Sequence, residues 1–315
     1  MLNIAIVGVG IIGKSHLSAI QNIENCRLCA LCDVNEESVK AFASEYNVPY
    51  FLDYKEIPEK VKCDAVILNL PHHLHAPASI FFLEHGCHVL VEKPMANTVK
   101  ECDEMIETSK RCGKKLAVAH IQRYFEANGI VKAIVDSGEL GRYVGCCEQR
   151  SVNYFPDSRP RWFLDKKFSG GGIVMNYGAH ALDKLKYITG AHITDVASVY
   201  GNFANDFNVE GHAQFLAKLD NDTGMTVTFS AYTPVVYEDI YYFTKGAIRT
   251  YNSSTLEICR NGKWERTEIR SDKKELEREI ADFIRYIEGE PSTIPTPEYG
   301  REIIAAIEQI YTEDA

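Results

Sequence analysis

The stretch Gly8-Val9-Gly10-Ile11-Ile12-Gly13 follows a short apolar run, 4–7, near the start of a 315-residue chain. Gly8 allows a tight turn from a strand into a helix, Gly10 lets the backbone approach a pyrophosphate, and Gly13 lets the helix pack closely on the strand. The free N–H groups and the positive end of the following helix suit phosphate groups. The stretch therefore predicts a nucleotide-binding turn formed by Gly8, Gly10, Ile11, Ile12 and Gly13.

Asp33 follows the next apolar run, 28–31, twenty residues beyond Gly13. A carboxylate at this spacing is placed to hydrogen-bond a ribose 2′-hydroxyl, and it repels a 2′-phosphate. The neighbours Val34 and Asn35 supply no cation. The pattern therefore predicts NAD in preference to NADP. A turn that merely needs glycines is the alternative.

Residues 1–120 alternate apolar runs with helical stretches. Runs of this length suit strands buried on both faces of a parallel sheet, and the alternation predicts a doubly wound α/β domain of the Rossmann type. Asn35 and Thr98 are predicted N-caps. The predicted strands are 4–7, 28–31, 65–70, 88–91 and 116–119, and the predicted helices are 36–46, 76–85 and 99–112.

Residues 121–315 show a different pattern, with several strands in succession and few helices between them. This predicts an α+β domain with a mainly antiparallel, open sheet. Residues 220–224 have the composition of a hairpin turn. The predicted strands are 143–155, 194–203, 212–219, 225–232 and 238–245, and the predicted helices are 129–136, 276–288 and 299–311.

The composition narrows the classes of partner. A net charge of −10 disfavours nucleic acid and anionic membranes, and 45% hydrophobic residues are sufficient for a core in each domain. No apolar run reaches the length of a membrane span, and no leader is evident, so a cytoplasmic location is expected. Ten cysteines in such a chain are expected to be reduced thiols.

Neither of two clusters of metal-ligand residue types is predicted to bind a metal. Cys26, Cys29 and Cys32 are spaced by threes along a strand, where such positions point to opposite faces. Among the histidines that follow the third strand, the adjacent His72 and His73 diverge, and no carboxylate or thiolate nearby completes a site.

Two segments lie where strands of the first domain end, which is where ligands bind in open α/β sheets. They are 69–75 and Glu92-Lys93-Pro94. Pro94 stiffens the backbone next to Lys93, so that the lysine can reach a substrate oxygen; a surface salt bridge is the alternative. The residues predicted to contact the cofactor from these segments are Leu70, Pro71, His75, Glu92 and Lys93.

A glycine run, 170–172, precedes a predicted helix that carries Asn176, His180 and Asp183. The glycines would let a loop lie tight against a ligand, and the i, i+4, i+7 spacing places the three polar side chains on one helix face. Imidazole titrates near neutral pH, so His180 suits proton transfer. A solvated helix face with a structural histidine is equally compatible with the spacing.

Taken together, these motifs resemble those of the glucose–fructose oxidoreductase / inositol dehydrogenase / MocA family over nearly the whole chain. The matching features are the glycine turn, Pro71 with His75, the Glu92-Lys93-Pro94 segment, Arg123 after the last strand of the first domain, and the glycine run before the histidine helix. The resemblance implies an NAD(H)-dependent oxidoreductase acting on a sugar, cyclitol or related polyol. It also implies a homodimer or homotetramer formed through the second domain.

The resemblance implies roles for individual residues. Lys93 matches the family's active-site lysine, His180 its catalytic histidine, and Asp183 an acid that contacts substrate or orients the histidine. Many family dehydrogenases carry aspartate where this chain has Asn176, which can hydrogen-bond a hydroxyl but cannot stabilise an imidazolium by charge. Arg123, Tyr154 and Trp162 are further candidates to line a substrate pocket. A non-catalytic NAD-binding regulator and an NAD-using glycosidase remain as alternatives.

Overall fold

The computed structural model describes residues 1–203, 206–252, 254–269 and 272–312. The chain forms two compact units. The first is Met1–Ile121 with Lys273–Arg301, and the second is Gln122–Asp272 with Glu302–Ala315. The division of the sequence at residue 120 differs in one respect, because it assigned residues 273–301 to the second domain.

The elements of the first 121 residues alternate as expected. The helices are α1 (Ile11–Ile20), α2 (Glu36–Tyr46), α3 (Ile57–Lys60), α4 (His75–Glu84) and α5 (Val99–Cys112). The strands are β1 (Leu2–Val7), β2 (Cys26–Cys32), β3 (Tyr50–Phe51), β4 (Ala65–Leu68), β5 (His88–Glu92) and β6 (Leu116–Ala119).

These strands form a parallel sheet in the order β3-β2-β1-β4-β5-β6. The chain reverses its direction of travel across the sheet between β1 and β4, and such a switch point is where open α/β sheets bind ligands. Both predicted N-caps are confirmed: the Asn35 side chain accepts from Ser38 N, and Thr98 forms a capping box with Glu101. The predicted Rossmann fold is confirmed.

The remaining helices and strands of the described chain lie beyond residue 121. The helices are α6 (Glu126–Ser137), α7 (Lys166–Ser169), α8 (Ala179–Thr189), α9 (Glu275–Glu288) and α10 (Pro297–Thr312). The strands are β7 (Tyr143–Ser151), β8 (Ile193–Gly201), β9 (His212–Leu219), β10 (Gly224–Ser230), β11 (Tyr237–Phe243), β12 (Gly246–Tyr251), β13 (Thr255–Arg260) and β14 (Lys263–Glu268).

Residues 273–301 join the first unit through specific contacts. Helix α9 packs on α1, where Asn22 Nδ2 donates to Glu277 Oε1 at 2.7 Å. The segment after α9 runs beside β6, and Val118 N donates to Pro295 O at 3.0 Å. A segment so distant in the chain could not be assigned to this unit from local sequence patterns.

The second sheet has the order β14-β13-β12-β11-β7-β10-β9-β8 within the described residues. All its pairs are antiparallel except that of β7 with β10, so the predicted mainly antiparallel sheet is confirmed. Strands β12, β13 and β14 were not predicted from the sequence. The signal was available for the last hairpin, because Asn261-Gly262 adopts positive φ at both residues, as a two-residue hairpin turn requires.

A buried ionic cluster joins α8 to the centre of this sheet. Glu148 of β7 and Asp239 of β11 are direct cross-strand neighbours, and like charges in such a position repel. Lys184 Nζ of α8 lies between them, 2.9 Å from Glu148 Oε2 and 2.6 Å from Asp239 Oδ1. Thr250 donates to Asp239 Oδ2, and Arg150 Nε lies 3.5 Å from Glu148 Oε1.

This cluster remains charged although it is buried. Burial disfavours the ammonium of Lys184, but Asp239 and Glu148 more than compensate and raise the pKa of Lys184 above its ordinary value. Two carboxylates and two cations leave the cluster neutral. Removal of one partner from such a cluster is costly because the others stay buried without compensation.

We therefore expect Lys184→Met to lower the stability of the second unit by about 3–5 kcal/mol. Both tryptophans of the chain, Trp162 and Trp264, lie in this unit, so denaturant unfolding followed by tryptophan fluorescence reports on it. The matched control is Lys167→Met at an exposed position. A loss of under about 1 kcal/mol, the range of surface ion pairs, would contradict the role given to Lys184.

Candidate active site

The three glycines of the first turn have different structural roles. A Cβ added to Gly8, whose φ is +92°, would lie 2.3 Å from Asn69 O, and one added to Gly13 would lie 2.0 Å from Gly8 O. A Cβ at Gly10 would meet no atom within 4 Å. The fold itself therefore requires Gly8 and Gly13, whereas the space beside Gly10 is open to a bound group.

The surface around this turn fits a dinucleotide. Ile11 is 87% exposed at the start of α1, and Val34 is 91% exposed after β2. The Asp33 carboxylate, just after β2, accepts from Val9 N at 2.8 Å and from Asn35 N at 2.9 Å. Among the described residues, no lysine or arginine forms an ion pair with Asp33, which leaves its charge available to a ligand.

Glu92 positions the segment that carries Lys93. Its carboxylate lies 3.1 Å from Nε2 of the buried His16 on α1, and it accepts from Lys93 N at 3.1 Å. Burial raises the pKa of Glu92, but the hydrogen bond and charge of His16 outweigh burial, so that this pKa lies below its usual range. His16 was not predicted from the sequence, although it lies almost one helical turn after Gly13.

His75 is fully buried at the start of α4. Its Nδ1 lies 2.8 Å from Pro94 O and its Nε2 lies 2.8 Å from Leu70 O. Burial lowers the pKa of His75, and a neutral ring donates through one nitrogen only, so one of these carbonyls accepts in each tautomer. His75 therefore ties the loops after β4 and β5 together. The predicted direct contact of His75 with a cofactor stays a prediction.

In the second unit, a buried carboxylate anchors the start of the histidine helix. Both oxygens of Glu210 accept from Gly172 N at 2.8 Å, and Oε1 also accepts from Val174 N and from Tyr311 Oη. Burial raises the pKa of Glu210, although its backbone N–H donors act in the opposite direction. No local pattern around Glu210 indicated this contact, because its partners are distant in the sequence.

The glycine run before the helix makes room for the protein itself. A Cβ on Gly171 would lie 1.9 Å from Tyr311 Oη, and one on Gly172 would lie 2.1 Å from Glu210 O. Gly170 ends α7 with a φ of +78°. The three glycines are therefore needed for packing and for a helix end. The expected contact of this loop with a ligand stays a prediction.

The histidine helix begins with a π-turn at Val174–Gly178 and continues as α8. A π-turn has i→i+5 hydrogen bonds, so Asn176 and His180 are not related by regular α-helical geometry as expected. The Asn176 side chain hydrogen-bonds the hydroxyl of Tyr154, which itself donates to Gly172 O at 3.2 Å. Such turns occur frequently at functional sites.

His180 is partly exposed, and an aromatic side chain separates it from a buried cation. Its ring centroid lies 6.4 Å from that of Tyr177, and the Arg150 guanidinium lies 5.2 Å from the Tyr177 centroid. Three other charged residues of α8, Asp183, Lys184 and Lys186, are buried. Within α8, the accessible proton-transfer group is therefore His180.

Several residues predicted to contact a substrate have structural partners. Asp183 is completely buried, and its Oδ1 lies 3.2 Å from Arg123 Nη2, whose own side chain is 8% exposed. Tyr154 is also completely buried. Asp183, Arg123 and Tyr154 thus have partners within the protein, and their contacts with a substrate stay predictions. Trp162 is partly exposed and stacks on Phe163 with a centroid distance of 3.7 Å.

The described residues contain no group of three His, Cys, Asp or Glu side chains arranged to hold a metal ion. Cys26 and Cys32 are buried in β2 and Cys29 is half-buried, and burial raises the pKa of Cys26 to about 11. In the same part of the chain, no helix is long and apolar enough to cross a membrane.

Comparison with known families identifies both parts of the chain. Residues 2–120 match the model of an oxidoreductase family with an NAD-binding Rossmann fold, Gfo/Idh/MocA, and residues 130–258 match the C-terminal domain of the same family. The chain belongs to the Gfo/Idh/MocA oxidoreductase family. The resemblance seen in the sequence motifs is confirmed, and the glycine turn lies in an NAD-binding domain.

Individual relatives of the family are distant. A 1-carboxy-3-chloro-3,4-dihydroxycyclohexa-1,5-diene dehydrogenase of Comamonas testosteroni is 29% identical over 73% of this chain and 58% of its own length. A D-glucoside 3-dehydrogenase of Escherichia coli is 31% identical over 60% of this chain and 54% of its own length. The matched regions thus span little more than half of these relatives.

A solved structure supports the fold over the whole chain. The aldose-aldose oxidoreductase of Caulobacter crescentus, crystallised with glycerol, aligns with a TM-score of 0.89 at 23% identity. The alignment covers 98% of this chain and 96% of that one. At this level of identity, the likeness establishes the shared fold.

We expect Gly10→Ala to fold normally and to bind NAD⁺ about tenfold or more weakly, because its Cβ would occupy the space open to the pyrophosphate. Calorimetric titration with NAD⁺ and thermal unfolding measure the two effects separately. Gly8→Ala is the contrasting variant, because its Cβ meets Asn69 and should destabilise the domain itself. Unchanged NAD⁺ affinity in Gly10→Ala would contradict the assignment of the turn.

Proposed function

We propose that this chain is an NAD(H)-dependent oxidoreductase that transfers a hydride between nicotinamide and a secondary alcohol or ketone. The substrate class that we propose is a sugar, cyclitol or related polyol. The observation that carries the proposal is a partly exposed histidine, His180, on a helix anchored by buried charges, in a family whose first domain binds NAD. The names of the relatives, dehydrogenases of a dihydroxycyclohexadiene and of a glucoside, support this substrate class.

The residues of the glycine turn fit the cofactor, since Gly10 leaves space for a pyrophosphate and Asp33 carries a free charge for a ribose hydroxyl. When bound, the nicotinamide ring supplies the hydride acceptor or donor. Leu70, Pro71 and Glu92 hold the backbone around the cofactor rather than take part in chemistry. The buried ring of His75 connects the loops after β4 and β5.

Proton transfer is assigned to His180. In the oxidative direction, Nε2 or Nδ1 of His180 takes the proton of the substrate hydroxyl, and in the reductive direction it returns it. Lys93 supplies a cation that stabilises negative charge on the reacting oxygen. Asn176, held by Tyr154, offers amide hydrogen-bonding groups without a negative charge, so the histidine works without a carboxylate at that position.

We expect His180→Ala to lower the turnover number by about 10²–10⁴-fold while NAD⁺ affinity stays unchanged. The assay is NADH absorbance across a panel of sugars, cyclitols and their keto forms. His192→Ala, which loses an exposed contact with Glu302, is the matched control and should keep full activity.

The outcomes separate the alternatives. An unchanged rate for His180→Ala would reassign the base. NAD⁺ binding without turnover of any panel member would favour a regulator. Cleavage of an aryl glycoside without net NADH formation would favour a glycosidase. Each of the last two results would overturn the proposed dehydrogenase activity.

We further propose that the chain prefers NAD to NADP because the Asp33 charge repels a 2′-phosphate. Asp33→Asn keeps an oxygen acceptor and removes the charge, and it should shift the affinity ratio toward NADP about tenfold, since a unit charge at contact is worth about 1–4 kcal/mol. Glu45→Gln, exposed near the end of α2, is the control. Comparable titrated affinities of the unaltered protein for NAD⁺ and NADP⁺ would contradict the preference.

The partner that we propose is a second copy of the chain. One face of the second sheet exposes large apolar side chains from strands across its width, namely Val199, Leu216, Tyr242 and Trp264. Exposed apolar side chains that share one sheet face are available to an interaction surface. A molar mass from light scattering equal to that of one chain would contradict this proposal.

A further inference from the structure

Arg159 has an unusual setting among the arginines of the second unit. Its guanidinium lies 4.0 Å from the ring centroid of Tyr154 and 5.0 Å from that of Phe163. Among the described residues, no carboxylate forms an ion pair with Arg159, and its buried Nε has no hydrogen-bond partner. By contrast, Arg123 and Arg150 each contact a carboxylate.

The aromatic contacts hold the guanidinium without neutralising it. A guanidinium offers five N–H donors in a rigid plane, and stacking on ring faces leaves the in-plane donors directed outward. Cation–π attraction to the two rings holds the side chain in place before any ligand binds. Arg159 is thus a fixed positive charge whose hydrogen-bonding capacity is largely unused within the protein.

Arg159 is close to the histidine helix through one shared side chain. Arg159 stacks on the ring of Tyr154, and Asn176 hydrogen-bonds the hydroxyl of the same Tyr154. The guanidinium is therefore separated from Asn176 by one phenol ring and one hydrogen bond. Arg159 and the start of the histidine helix thus contact the same buried side chain.

The segment around Arg159 is positively charged in an acidic protein. Residues 153–169 hold four cations and two carboxylates, a local charge of +2, whereas the whole chain carries −10. The Asp165 carboxylate is committed to Lys167 N and Asn208 Nδ2. The cations are Arg159, Arg161, Lys166 and Lys167.

From this arrangement we infer that the substrate carries a carboxylate and that Arg159 binds it. The inference rests on the proposed function and specifies its substrate class as an acidic sugar or cyclitol, in which a ring hydroxyl is oxidised. A planar guanidinium matches a carboxylate through two parallel hydrogen bonds and one neutralised charge. A phosphate ester is another anion that a guanidinium binds in this way, so the test includes one.

The test compares substrates that differ by the carboxylate. The full chain with NAD⁺ is assayed on D-glucuronate against D-glucose, and on D-galacturonate against D-galactose, with D-glucose 6-phosphate as a third anion. We expect the acids to have the higher kcat/KM. Arg159→Gln should raise KM for the acids by about 10- to 100-fold, the value of a hydrogen bond to a charged group, and should leave the neutral sugars within about twofold.

Matched variants separate binding from structure. Arg161→Gln, exposed and two residues away, should leave every pair unchanged. Arg159→Lys keeps the charge but loses the planar fork, so its KM for the acids should lie between those of the unaltered protein and Arg159→Gln. If Arg159→Gln weakened acids and neutral sugars equally, Arg159 would merely support Tyr154, and the inference would fall.

The remaining outcomes distinguish the two proposals. Higher kcat/KM for the neutral sugars or for the phosphate ester would overturn the carboxylate inference and leave the dehydrogenase proposal in place. If no compound is turned over, the dehydrogenase proposal fails for this panel, and the carboxylate site is then tested by thermal stabilisation of the NAD⁺-loaded protein with D-glucuronate. Stabilisation of the unaltered protein that is lost in Arg159→Gln would still support the carboxylate site. If D-glucuronate does not stabilise the unaltered protein, the carboxylate inference is overturned.

Discussion

The ammonium of Lys184, enclosed between Glu148 and Asp239, is the interaction on which the second unit depends most. Two carboxylates on neighbouring strands repel each other, and the sheet tolerates them because a helix inserts a cation between them. Lys184 lies one helical turn after His180, so the contact that neutralises the sheet also fixes the backbone that presents the histidine. The opposite end of the same helical segment is held by Glu210. The buried charged groups of Lys184 and Glu210 thus fix the helix that presents the partly exposed imidazole of His180.

In the first unit, too, the residues near the glycine turn differ in what they contact. Gly10 faces open space, and Asp33 accepts from two backbone N–H groups while no described lysine or arginine forms an ion pair with it. His16, His75 and Glu92 bond to their own chain and hold the ends of strands near the switch point of the sheet. Their effect on a ligand through this positioning is part of the proposed function.

Part of the fold could be predicted from residues that lie near one another in the chain. The bounds of α2 and α5 follow from caps and periodicity within the segments themselves, and the dinucleotide turn follows from glycines near one another in the chain. The purpose of Gly171 and Gly172 was not predictable, because the atoms that require their small size belong to Tyr311 and Glu210. The burial of Asp183 against Arg123 likewise joins residues that are sixty positions apart in the chain. Spacing identified the histidine helix, but tertiary packing decided which of its polar residues remain accessible.

The π-turn at Val174–Gly178 has a consequence for how such a helix changes over evolution. Since Glu210 holds its start and Lys184 holds its continuation, an additional residue cannot be absorbed by sliding, and it persists as a wider turn. Deleting one residue there would restore α-helical bonding and rotate the two flanking stretches against each other by about 100°. The relative direction of Asn176 and His180 is therefore set by the number of residues between two anchors. Insertions and deletions, rather than substitutions, are the changes that redirect it.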